Sequence, residues 1–178
     1  MADAVQERSE GLGKTVASVA AAMLRLSPGE LARLRRMDPD GPGVLEFWRL
    51  ATLCGIHANT AGMQFVRILA LLAPKGDAGQ RPPFHNFNMP LGRALHAAGF
   101  SEARLASFLA LPFEARGDAL ESMARLLVAK GLPQGGLNCA EIAHLLFSRN
   151  VWAARKLAEN YYIATDIAEA ATKKESAQ

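Results

Sequence analysis

Apolar residues recur every three or four positions through most of the chain, and nowhere do they alternate with polar ones over a strand's length. That spacing predicts helices throughout. Residues 12–26 form the first apolar helical stretch. The tetrad Ser27-Pro28-Gly29-Glu30 then predicts a sharp helix start, with Ser27 as cap, Pro28 in the first turn and Glu30 closing a capping box. In this second helix Leu31, Leu34 and Met37 share one face, so Arg33, Arg35 and Arg36 crowd the other, with only Glu30 as a nearby acid. DPDGPG at 38–43 stops it.

Residues 44–56 predict a helix that turns Val44, Phe47, Trp48, Ala51 and Cys54 toward the core and Arg49 outward. Asn59 or Thr60 caps the next helix, AGMQFVRILALLA, whose near-continuous apolar character predicts burial. Arg67 is its only charge and must find a partner or reach solvent at its tip, because an unpaired buried charge is very costly.

Residues 74–89, PKGDAGQRPPFHNFNM, predict the one long irregular segment, with Phe84 and Phe87 packing back on the core around His85. Pro90 opens LGRALHAA and Gly99 closes it. Ser101 caps the following helix, with Phe100 placed to staple onto Leu105. After Pro112 a longer helix runs to Gly131, on which Glu121 precedes Arg125 by one helical turn and Arg116 reads as a surface charge. Asn138 and Glu141 predict another capping pair. The last helix carries Ala154, Leu157, Ala158 and Tyr161 on one face and Arg155, Glu159, Tyr162 and Asp166 on the other.

The fold class that follows is all-α: two small helical bundles packed together, residues 1–73 and 90–170, joined by the irregular 74–89 linker, with 171–178 as a disordered tail. Half of the 178 residues are hydrophobic, enough for a sizeable core. No apolar run is long enough to span a bilayer, and the N-terminus has acidic residues and no apolar signal core, so the expected location is cytoplasmic with no membrane partner. Cys54 and Cys139 read as buried free thiols.

Candidate chemistry is sparse. The GKT at 13–15 would need a glycine where Arg8 stands, and a preceding strand, to be a phosphate loop. Glu141 and His144 have the E-x-x-H spacing of di-iron bundles, which require two such motifs and two further carboxylates. His57, His85, His96 and His144 show no metal-ligand spacing, and no serine or cysteine sits in a nucleophile turn. No cofactor or catalytic residue is predicted. Residues 28–57 allow a second reading, a helix-turn-helix of a small DNA-binding transcription regulator, although the DPDGPG connection is long for that motif.

Charge adds more. The net charge is only +3, but of the 20 basic residues most are arginine, the planar, always charged fork that suits phosphate. A GC-rich coding sequence produces the same bias. Arg93, Arg104, Arg116 and Arg125 punctuate the short helices between Leu91 and Gly131, suggesting a rigid scaffold that holds an anionic partner.

The order LARLRRM, EFWRLA, FVRILALL, PLGRALHAAGFSEARL, SMARLLVAKG and ARKLAENYY resembles the CasB family, the small subunit of the type I-E CRISPR surveillance complex Cascade. The likeness covers about residues 29–165, and L-G-R-A-L followed by S-E-x-R-L is its most specific part. It implies a non-catalytic helical subunit, present as two copies beside other Cascade subunits, that stabilises crRNA, target DNA and the displaced strand. By the same resemblance Arg35, Arg36, Arg49, Arg93, Arg104, Arg125, Arg155 and Lys156 are the nucleic-acid-binding positions. Ala103 and Ala124 stand where many relatives carry a further arginine, which makes this chain less basic there.

Overall fold

A computed structural model describes the backbone of residues 2–175 and the side chains of 11–171 and Lys173. Among these residues the chain is all-α: α1 (Ala2–Met23), α2 (Pro28–Arg36), α3 (Leu45–Cys54), α4 (Thr60–Leu72), α5 (Leu91–Ala97), α6 (Glu102–Leu109), α7 (Arg116–Lys130), α8 (Cys139–Phe147) and α9 (Trp152–Glu175), with a 3-10 turn at Phe113–Ala115. The GKT lies inside α1, so no strand precedes it. The predicted tail is helical as far as Glu175, and Ser176 to Gln178 lie outside the described residues. No described helix is long and apolar enough to cross a membrane.

Local sequence accounts for the helix starts. Ser27 accepts from the Glu30 amide while the Glu30 carboxylate accepts from the Ser27 amide, a complete capping box. Asn59 caps α4 through the Gly62 amide, and Ser101 caps α6 through the Arg104 amide. Glu141 departs from its predicted capping box: its Oε2 instead accepts from the Leu91 amide, 2.8 Å away, and so caps α5 from a different helix. Burial holds its carboxyl above the usual range, against the lowering effect of that amide.

One hydrophobic core runs from Val16 through Phe47, Phe65, Leu95 and Leu127 to Tyr161. Helices from both sides of residues 74–89 build it: α4 packs on α7 and α8, and α1 packs on α8. The division at 74–89 is therefore one of chain order, with the core continuous across it. The 74–89 segment itself is clamped at two places. Arg81, 6% exposed, donates to the Leu24 and Leu26 carbonyls just past α1. Farther along, Phe84 O accepts from the Leu137 amide and Asn86 N donates to Leu137 O. Gly136 makes that approach possible, since a Cβ there would sit 2.1 Å from the Phe84 backbone.

Three burial expectations are corrected. Phe84 is buried, but Phe87 is 53% exposed and meets the His85 ring edge-on. Trp48 is 45% exposed, its indole N–H donating to Pro42 O, while Leu50 takes the inward place in α3. Cys54 is only half-buried, whereas Cys139 is fully enclosed and its thiol is pushed up to about 12 by that burial.

Candidate nucleic-acid interface

A guanidinium that is to meet phosphate must be exposed and free of a closer acid. The structure sorts the eight candidate cations by that test. Arg93 on α5, Arg104 on α6, Arg155 on α9 and Arg36 on α2 are exposed, and among the described residues no carboxylate or carbonyl accepts from their side chains. Arg49 lies 3.9 Å from Glu30, a loose pair at the surface. Arg125 donates to Glu121 at 2.7 Å and Lys156 to Glu159 at 2.9 Å, both within one helix.

Arg35 differs from all of these. Its Nε donates to Ala70 O at 2.7 Å and one terminal nitrogen donates to Ala73 O at 3.0 Å, so the side chain closes the C-terminal end of α4. That end presents unpaired carbonyls and the negative pole of the helix, which a cation satisfies on both counts. Two of its five N–H donors are therefore committed inside the protein.

Three of the free arginines belong to one structural unit. α5 packs closely on α9: a Cβ at Gly92 would lie 2.3 Å from Leu157 O and 2.7 Å from the Tyr161 amide nitrogen. Glycine is thus required between Leu91 and Arg93 for the two backbones to meet. The Tyr161 hydroxyl donates to Phe100 O at the entry to α6, tying that helix to α9 as well. Arg93 and Arg155 consequently sit on two packed helices, and Arg104 on a third whose entry is tied to α9 by that one buried hydrogen bond. Arg36 and Arg49 are on α2 and α3, which pack chiefly with each other and with α4 and α1, and Arg125 is on α7.

The remaining arginines show where the other cations went. Arg33 places two nitrogens on Glu46 Oε1, both at 2.7 Å, and this fork holds the largely buried Glu46 carboxyl below its usual range. Arg67 donates to Met37 O at 3.2 Å and to Glu121 at 3.0 Å, which supplies the partner its apolar helix demanded. Arg116, expected at the surface, is 8% exposed and lies over the Phe113 ring, which Arg149 covers at 5.0 Å. The sequence did carry a signal for Arg116: it stands at helical spacing before Leu120, Ala124 and Leu127 on the buried stripe of α7. For Arg81 there was none, because its carbonyl partners are more than fifty residues away in the chain.

His85, His144 and Cys139 are packed into the structure. His85 Nδ1 accepts from the Cys139 amide at the start of α8, and burial holds the ring's pKa below its usual value. His144 packs edge-on to Trp152 and is shifted the same way for the same reason, while its E-x-x-H companion Glu141 is occupied at Leu91. Among the described residues no group of three or more His, Cys, Asp or Glu is placed to hold a metal ion. In the helix-turn-helix reading α3 would be the recognition helix. Its exposed face carries Leu45, Trp48 and Leu53 around Arg49, poor in donors for base edges, and the connection from Met37 to Val44 is longer than the motif's roughly three- or four-residue turn. Comparison with protein-family models, with curated proteins and with solved structures finds no match.

Proposed function

We propose that the chain is a non-catalytic, nucleic-acid-backbone-binding subunit, of the kind the CasB resemblance implies: a cytoplasmic Cascade small subunit in antiviral defence that steadies crRNA, target DNA and the displaced strand. The observation that carries this reading is the set Arg93, Arg104 and Arg155, three exposed guanidiniums without acidic partners among the described residues, on the packed pair α5 and α9 and on α6, whose entry the Tyr161 hydroxyl ties to α9. Rigid helices set such forks at fixed spacing, and phosphate contacts of this type position a strand without reading its sequence. Arg36 is a further contact. Arg49, Arg125 and Lys156 contribute less, since each shares its charge with a glutamate, and Arg35 supports the fold first.

The test is a titration of the chain with random single-stranded and duplex oligonucleotides across a salt series, repeated with Arg93→Ala/Arg104→Ala/Arg155→Ala and with target binding by the assembled complex. Sequence-blind binding is expected, with a log-log salt slope that falls by about 0.7–0.9 per lost contact. Unchanged affinity and slope in the triple variant would remove the proposed interface, and strong preference for one duplex sequence would favour a transcription regulator instead.

A further inference from the structure

A half-open cavity of about 600 Å³ lies away from the α5–α6–α9 unit, between the ends of α4 and α7 and the segments 74–83 and 132–136. Its walls are aliphatic, formed by Leu71, Pro82, Pro83, Val128, Leu132 and Pro133. The two charged residues that line it, Arg35 and Lys75, are both cationic, and no aspartate or glutamate lines it. Proline walls hold their shape at little entropic cost, so the groove is already formed before anything enters it.

Its electrostatics are one-sided. Arg35 is held by two carbonyls and by no carboxylate, and its second terminal nitrogen makes no bond. Burial lowers its pKa, and the neighbouring charge of Arg81 lowers it further. Arg81 likewise meets carbonyls, those of Leu24 and Leu26, through one terminal nitrogen, and its buried Nε has no hydrogen-bond partner among the described residues. Lys75 is exposed and unpaired. The Leu132, Gln134 and Gly135 amides, on the 132–136 wall, donate to no group among the described residues. An apolar floor is thus edged by positive charge and hydrogen-bond donors, with no acceptor of negative charge among its lining side chains.

We propose that this groove docks an acidic peptide segment of a partner protein, with an aliphatic side chain seated against Pro82, Pro83, Val128 and Leu132 and an adjacent carboxylate held by Arg35 and Lys75. Charge complementarity selects the anion, and the aliphatic walls select what accompanies it. A nucleic acid backbone fits less well: its phosphates would meet Arg35 and Lys75 but offer no apolar group to the aliphatic walls that make up most of the lining. The site also gives Arg35 a role at the surface that leaves its bonds to α4 intact.

The full-length chain is to be screened against an acetylated hexapeptide positional-scanning library, and the selected peptide then titrated into the isotope-labelled chain by NMR. Expected are selection for Leu, Ile or Val with Asp or Glu within two positions, and amide shifts at Val128, Leu132, Gly135 and Gly136. Lys75→Glu, which breaks no bond within the chain, should weaken binding at least tenfold, and Val128→Asp at a half-exposed site should do the same. The proposal is overturned if no peptide is selected, if basic peptides are, if the shifts fall elsewhere, or if Lys75→Glu is silent. It is also overturned if an oligo-dT strand moves the same amides and displaces the peptide, which would make the groove a nucleic-acid site. None of these results bears on Arg93, Arg104 and Arg155.

Discussion

Four arginines of the α2–α4–α7 region and three of the α5–α6–α9 region look alike in the sequence and do opposite work. In the first region Arg33, Arg35, Arg67 and Arg116 face Glu46, the end of α4, Glu121 and Phe113. There the guanidiniums of Arg33, Arg35 and Arg67 are cross-braces that satisfy carbonyls and acids from other helices, while Arg116 packs on the ring with two buried nitrogens that have no hydrogen-bond partner among the described residues. In the second, Arg93, Arg104 and Arg155 find no acid or carbonyl and project from helices whose inner faces are fully occupied by Leu95, Leu105 and Leu157. A charge with internal partners supports stability, and one without them is available to a ligand.

The most severe way to break the first region is Glu121→Ala. Glu121 accepts from both Arg67 and Arg125, and its removal leaves the mostly buried Arg67 with Met37 O alone. A loss of about 3 kcal/mol in urea denaturation is expected. Arg35→Ala should cost less, about 1–2 kcal/mol, by leaving the Ala70 and Ala73 carbonyls without their donor. A result below a few tenths would mean that Arg35 belongs with the free arginines after all.

The contact between the 74–89 segment and the start of α8 predicts a pH dependence. Neutral His85 accepts from the Cys139 amide, and its pKa is lowered in the fold by burial. The unfolded chain therefore binds a proton that the folded chain refuses as pH drops below about 6.5, and stability falls with falling pH in that window. His144 acts in the same direction, whereas Glu141, raised by burial, opposes them at lower pH. His85→Gln should flatten the stability profile between pH 5 and 7 by at most about 1.4 kcal/mol per pH unit. An unchanged profile would show that this ring does not titrate with unfolding.

The smallest stability effect should come from Arg104→Ala, within about 0.5 kcal/mol of wild type, because no bond of its side chain is lost. If it unfolded the chain as Arg35→Ala does, the contrast between the two regions would disappear.

Much of the fold was legible in the chain. The Ser27, Asn59 and Ser101 caps, the irregular stretch after α4 and the two faces of α9 all depend on neighbours within a few residues, and each stands where the pattern placed it. The candidate site was legible only in part. Arg93, Arg104 and Arg155 are exposed as expected, and Arg125 has the intrahelical glutamate that its spacing announced. Arg35 was indistinguishable from Arg36, because the carbonyls that claim it lie 35 and 38 residues along the chain.

By itself, then, the sequence determined the helices, their caps and the apolar faces, since these arise from short-range periodicity and local hydrogen bonding. Only the tertiary structure decided that Phe87 and Trp48 lie outside, that Glu141 caps α5, and that one core spans both halves. It alone also separated the bracing arginines from the free ones. A long, flexible cation takes its role from whichever acceptor the packed chain brings within about 3 Å, and that is a property of the fold, not of the residues beside it.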